Sequence, residues 1–306
     1  MPKHSLLELS DESRFLASLC PYCGDQNHSV VRRGPDILFE QGVEFQALAC
    51  RRCGGWFTDG SQFASLSDYY ERSYPAAYYQ TASGGRSGDP GSNPSIRTTL
   101  LEHLDAPSGK RVLDVGCGNG GFPNYLRQAG LDAEGVEISP TASEYARTVY
   151  GLRVTTGILE DLPTSVRYDA ITMVGTIEHL LNPQRTLAAV AQRLATGGLF
   201  VFDFPVANCL ESTLAGARWW GLDMPRHTIH LTYDTATRLV GDAGMAVTAR
   251  VAITRTFFHY GYLSPPSRNG FARWSIGGVA VQAVAGFLLA TGRSALGAMV
   301  CRKAQV

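Results

Sequence analysis

The chain has no net charge to spend on a polyanion: 27 basic residues balance 27 acidic ones over 306 positions. That balance excludes a general nucleic-acid binder, which needs a basic surface to meet phosphates. Residues 1–14 are polar and charged and lack an apolar core segment, so no secretory leader is expected and the cytoplasm is the expected compartment. Long apolar runs are also scarce. The stretch at residues 275–292 has no charged side chain, but it is only 18 residues long, close to the minimum for crossing a bilayer. Gly277, Gly278, Gln282 and Gly286 weaken it further. It reads as an apolar helix within residues 270–292, packed on the fold. Arg268, Arg273 and Arg293 around it keep contact with a membrane surface open as the alternative. The 44% hydrophobic content is ordinary for a globular protein, and the length suits one large domain or two.

Cysteine is present in a pattern. Of seven cysteines, Cys117, Cys209 and Cys301 are isolated. Cys20, Cys23, Cys50 and Cys53 form two C-x-x-C pairs, each followed by glycine. Without an export signal, such pairs read as metal ligands before disulfides. Two matched turns aim four thiolates at one point, which suits a tetrahedral zinc ion. A redox pair is the alternative, but it would not explain two matched knuckles. Four protein ligands leave no open position, so this zinc is expected to be structural. Residues 15–60 are assigned to the zinc ribbon, and residues 61–94 to a tyrosine-rich segment and a Gly/Ser/Pro linker or lid.

From Lys110 onward, apolar runs alternate with helical patterns, which predicts an α/β fold with a doubly wound, mostly parallel seven-stranded sheet. Strands are expected at 112–115, 133–138, 152–155, 169–174, 199–204, 245–253 and 296–301. The most informative stretch is V-L-D-V-G-C-G-N-G-G, from Val112 to Gly121. A buried strand ends, Gly116, Gly118 and Gly120 form a tight turn, and Pro123 sits in the first turn of a helix. Gly116, Gly118 and Gly121 also fit the dinucleotide pattern G-x-G-x-x-G. Asp114 argues against that use, since a carboxylate beside the helix start repels a pyrophosphate but not a cationic sulfonium or ammonium group.

This stretch resembles the first motif of class I S-adenosylmethionine-dependent methyltransferases. Glu137, the E-H-L triplet Glu178-His179-Leu180 and the strand Gly197-Gly198-Leu199-Phe200-Val201-Phe202 follow in the family's order. The resemblance covers residues 95–306. It implies that Asp114, Gly116, Cys117, Gly118 and Gly120 surround the cofactor. It also implies that Glu137 accepts both ribose hydroxyls, with Ile138 beside it, and that Val174, Gly175 and Thr176 line the methionine part. Ile158 stands where the family commonly has Asp, so adenine is expected to rest on backbone around Ile158 and Leu159, with Glu160 as a possible substitute. Tyr78 is assigned to the cofactor from the tyrosine-rich segment. Residues 205–232 are expected to cover the acceptor, with Glu178, Trp219, Trp220 and Arg226 contacting it. His179 and His227 are the candidate bases. Each has a plain alternative: His179 could only order its loop, and both tryptophans could be core.

A zinc ribbon joined to such a core also resembles bacterial sugar and natural-product methyltransferases. The C-methylating members carry a further C-terminal domain that this sequence lacks, so O-methylation of a small molecule or glycan precursor is expected. C- or N-methylation, a nicotinamide oxidoreductase and a non-catalytic ribbon adaptor are the rivals. The sequence leaves oligomeric state open.

Overall fold

The computed structural model describes residues 11–36, 43–63, 65, 94–253 and 294–303. Tyr78 with most of the 61–94 segment, and the apolar stretch at 270–292, lie outside the described residues. Among the described residues no helix is long and apolar enough to cross a membrane.

The larger sheet has seven strands: β4 (Arg111–Val115), β5 (Asp132–Glu137), β6 (Val154–Thr156), β7 (Tyr168–Met173), β8 (Leu194–Pro205), β10 (Met245–Ile253) and β11 (Leu296–Lys303). Their spatial order is β10-β11-β8-β7-β4-β5-β6. The five strands from β8 to β6 are parallel, and β11 pairs antiparallel with both β8 and β10. The expected fold class is the one observed. Strand β8 starts five residues before the expected Leu199, immediately after the helix Pro183–Arg193.

Side chains alternate across this sheet, so each strand feeds two cores. Leu199 and Val201 join Val112, Ile96, Leu100, Phe122 and Leu126 on one face. Phe200, Phe202 and Phe204 join Leu113, Ile171, Leu187, Val190 and Leu239 on the other. The helices that cover these faces are α1 (Pro94–His103), α2 (Gly121–Gln128), α3 (Pro140–Tyr150), α4 (Pro183–Arg193) and α6 (Tyr233–Asp242); a shorter α5 spans Leu210–Ala215. Their starts follow the sequence signals. Ser139 caps α3 by accepting from the Ala142 N–H, with Pro140 in the first turn, and Asn182 caps α4 in the same way through Arg185. Thr232 and Thr235 form a reciprocal cap on α6.

The chain leaves β4 toward β5 and β6 on one side, then returns to β7 and β8 on the other. That reversal opens a crevice at the carboxyl ends of β4, β5 and β7, where α/β sheets take ligands.

A second sheet holds β1 (His28–Pro35), β2 (Glu44–Cys50), β3 (Trp56–Thr58) and β9 (Ile229–His230), in that order. The first three belong to the cysteine ribbon. The fourth belongs to the segment expected to cover the acceptor, and pairs as Trp56↔His230 and Phe57↔Ile229. Ribbon residues Tyr22, Phe45, Leu48 and Phe57 share one continuous core with Trp219, Met224 and Ile229.

Two side chains expected to touch the acceptor are instead part of this junction. Trp219 is only 1% exposed and packs in the shared core. Arg226 is buried with its guanidinium committed: Nη1 and Nη2 donate to the Asp36 carboxylate, both at 2.8 Å, and Nε donates to Asp223 at 3.0 Å. A guanidinium desolvated to this degree needs paired carboxylates, and the residue after β1 of the ribbon supplies one. Removing it would deprive the fully buried Asp36 carboxylate of this cation. Arg226→Met should therefore lower stability by about 3–5 kcal/mol. Replacing the pair together, Arg226→Met with Asp36→Leu, should cost much less. Denaturant midpoints of the two variants would check the difference.

Candidate functional site

The glycine turn after β4 builds the floor of the crevice. Gly118 has a left-handed φ of +53°, and a Cβ placed there would meet nothing within 4 Å, so its open face is free for a ligand. Gly116 and Gly120 differ. A Cβ on Gly116 would lie 2.5 Å from Thr176 Oγ1, and one on Gly120 would lie 2.7 Å from the Ala146 Cβ. These two glycines, expected at the cofactor, let the turn pack closely on its neighbours. Thr176 accordingly turns its side chain onto Gly116. The Cys117 side chain points inward too, into a small cluster with Ala146, Leu152 and Val154.

Glu137 closes β5 and clasps the turn. One carboxylate oxygen accepts from the Gly118 N–H and the other from the Ser139 N–H, each at 2.8 Å. Ile138 beside it is 60% exposed, an apolar side chain left at the crevice mouth. The loop after β6 fills its own amide: the Ile158 N–H expected to face adenine donates to Asp161 Oδ2 at 3.0 Å. Leu159 is buried in the core. Glu160, the possible adenine contact, turns away and accepts from the Thr186 hydroxyl of α4 at 2.8 Å. Ile158 and Ile138 remain as apolar surface there.

Asp114 is buried and accepts from the Thr172 hydroxyl at 2.7 Å. Burial pushes its carboxyl up to about 7, and the charges of Glu137 and Asp203 push the same way. Asp203 on β8 was not singled out from the sequence. It accepts from the Gly175 N–H at 2.7 Å and so fixes the loop after β7. The signal was available: one acid inside the apolar strand Phe200–Pro205 needs a reason. Buried carboxylates crowded around an open glycine turn favour a positively charged ligand.

The third wall carries Glu178 and the two histidines. His179 Nδ1 lies 2.8 Å from the Arg226 carbonyl, and His227 Nδ1 lies 2.9 Å from the Gly221 carbonyl. A carbonyl only accepts, so both Nδ1 atoms carry the hydrogen and both Nε2 atoms keep a lone pair. The rings stand 4.9 Å apart in a T-shaped arrangement. His227 is buried. His179 is exposed at its turn. Desolvation lowers its pKa to about 4, and His227 adds to the shift. Burial lowers His227 as well. Glu178 is buried, and its Oε2 has no hydrogen-bond partner among the described residues. Burial, then Asp203, pushes its carboxyl up to about 8. One ligand atom from each of Glu178, His179 and His227 lies within 4.8 Å of the other two, so the trio could attract a cation. Trp220 lies half-buried beside Trp219, with ring centroids 5.9 Å apart.

The four paired cysteines also converge. Cys20 and Cys53 sulfurs are 3.5 Å apart, Cys23 and Cys50 sulfurs 3.6 Å, and all four lie within 4.8 Å of one another. The set could hold one tetrahedral metal ion.

A family model described as a methyltransferase domain matches residues 93–249. The chain belongs to the class I S-adenosylmethionine-dependent methyltransferases. It is similar to the ubiquinone biosynthesis O-methyltransferase of Azoarcus sp. (strain BH72), 34% identical over 103 residues that cover 31% of this chain and 44% of the relative. It is also similar to the sarcosine/dimethylglycine N-methyltransferase of Aphanothece halophytica, 29% identical over 170 residues covering 48% of this chain and 61% of the relative. The chain spans about half the length of the curated relatives it matches. Among solved structures, the magnesium protoporphyrin IX methyltransferase of Synechocystis PCC 6803, determined with bound SAH, superposes with a TM-score of 0.52 at 14% identity. That match covers 78% of this chain and 97% of the other, a likeness of fold. The family sets aside the dinucleotide reading of the glycine turn.

The residues present fit adenosylmethionine: an open cradle at Gly118, a strand-end carboxylate at Glu137 and buried acids that favour a cation. Gly118→Val should abolish binding of adenosylmethionine, because the branched side chain fills the cradle. Glu137→Ala should weaken binding by about 1–3 kcal/mol, the usual cost of leaving buried hydroxyls unpaired. Titration calorimetry on the two variants checks both.

Proposed function

We propose that this protein transfers a methyl group from S-adenosylmethionine to an oxygen of a small-molecule or glycan-precursor acceptor in the cytoplasm, with a histidine removing the acceptor's proton. The observation that carries the reading is the pair of imidazoles 4.9 Å apart, each with Nδ1–H held by a backbone carbonyl and Nε2 left as an acceptor. The bound sulfonium supplies an activated methyl. The protein's own task is then alignment, exclusion of water and removal of one proton. Gly118 and Glu137 seat the cofactor, and His179 or His227 takes the hydroxyl proton as the oxygen attacks. An O-methyltransferase among the relatives supports oxygen as the acceptor atom; the N-methyltransferase beside it supports nitrogen as the second reading.

The ribbon is read as a structural zinc site. Four thiolates around zinc at bonds of about 2.3 Å sit roughly 3.8 Å apart, close to the two separations observed. Burial pushes the Cys20 and Cys53 thiols up, and a dication among them reverses that, since metal ligation deprotonates a thiol. Cys209 and Cys301 lie apart from the cluster, buried in the shared core.

Each assignment has its own test. Purified protein should contain one zinc per chain by metal analysis, and Cys20→Ser or Cys53→Ser should lose both metal and soluble yield. Acceptors can be found by screening hydroxylated small molecules and sugar nucleotides with radiolabelled adenosylmethionine. With an acceptor in hand, His179→Ala or His227→Ala should slow single-turnover transfer roughly 10²–10⁴-fold while adenosylmethionine still binds. The pH profile carries a sign. A base whose pKa is lowered from 6.5 to about 4 stays unprotonated through the neutral range. The acid limb of the rate should therefore fall below pH 6.5. Variants with the wild-type rate and profile would leave catalysis to alignment alone.

A further inference from the structure

Thr58, the last residue of β3, is fully buried and reaches out of the ribbon toward the histidine wall. Its hydroxyl donates to the His227 carbonyl at 2.6 Å, and the same oxygen lies 3.2 Å from His230 Nε2. One hydroxyl has one hydrogen, so His230 Nε2–H is the donor in the second contact. The Thr58 N–H donates to the Thr228 carbonyl at 2.9 Å. Thr228 then ties this segment to the turn that carries His179: its N–H donates to the Glu178 carbonyl at 2.8 Å and its hydroxyl to the Leu180 carbonyl at 2.9 Å. From the metal knuckle, the Tyr22 hydroxyl reaches the Trp56 and His230 carbonyls at 3.0 and 3.2 Å.

These contacts converge on one segment. Residues Arg226 to His230 supply His227 itself and the carbonyl that orients His179. The two-residue pairing of β3 with β9, the shared core and the Arg226–Asp36 pair dock the ribbon. The Thr58 hydroxyl does something further, since it addresses the backbone of His227, outside that pairing. We infer that Thr58 is a positioning residue of the acceptor site: acting from the ribbon, it fixes the Arg226–His230 segment against the Glu178–Leu180 turn and thereby sets where both imidazoles aim. The cysteine ribbon is on this account a wall of the catalytic chamber. The inference rests on the reading that His179 and His227 serve the acceptor.

Histidine side-chain ¹⁵N–¹H correlation spectra test it without an acceptor, using protein with S-adenosylhomocysteine as the probe and His179→Gln and His227→Gln for assignment. Wild-type protein should show both rings with hydrogen on Nδ1. Thr58→Val keeps the shape but removes the hydroxyl. It should lose that signature at His227 while its S-adenosylhomocysteine affinity stays within about twofold of wild type. Thr58→Ser should restore the signature. Wild-type imidazoles in Thr58→Val, or no rescue by serine, would overturn the inference. So would a Thr58→Val protein that fails to fold or loses the probe along with the signature, since the residue would then be purely structural. Wild-type protein that binds no S-adenosylhomocysteine would overturn the cofactor reading, and this inference with it.

Discussion

The structure turns on the joint between β3 and β9. It is a ladder of two residue pairs, yet it draws a strand of the 205–232 segment into the ribbon's sheet and so joins two parts that the sequence presents as separate modules. A short ladder contributes little alone, because each net hydrogen bond is worth about 1 kcal/mol. What makes it a fixed joint is its surroundings: the buried Arg226–Asp36 pair at one end, Tyr22 above it, and Phe57 and Ile229 in the shared core. Small domains bury too little surface to be stable by themselves. A ribbon of this size gains its core by sharing one.

That sharing divides the crevice into two halves of different origin. The cofactor half is made by consecutive strand ends of the parallel sheet, and its contacts span short sequence distances, such as Glu137 to Gly118. The half proposed to take the acceptor is assembled from residues far apart in the chain: the turn at Glu178, the segment at Arg226 and the ribbon strands near Asp36 and Thr58. Fold-level likeness to other methyltransferases speaks to the first half. On the proposed reading the second half sets substrate choice, since function lives in sites grafted onto a common scaffold.

The same division explains what could be read from the sequence. Strands β4, β5, β7 and β8, the caps of α3, α4 and α6 and the glycine turn were legible because they rest on local chemistry: apolar runs, a proline after a capping residue, glycines at a tight turn. The place of Glu137 at the end of β5 was legible because it closes a strand. The cysteine quartet was legible because its spacing is itself a geometric statement. Arg226 and Trp219 were assigned to the acceptor on residue type, and type does not reveal that a carboxylate just after β1 and a core from the ribbon claim them first. Thr58 and Asp36 carried no signal at all, since their partners lie 169 and 190 positions away. Asp203 was visible as an acid in an apolar strand but had no partner in view.

The Glu137 clasp has a consequence for how the cofactor arrives. Its two oxygens already hold the Gly118 and Ser139 amides, so the turn has surrendered its freedom during folding. An ordered loop loses little further conformational entropy when a ligand settles on it. Each carboxylate oxygen also retains a lone pair for an incoming hydroxyl. On the proposed reading, a ribose can join that set of hydrogen bonds without breaking it, so this part of the pocket acts as a preformed template.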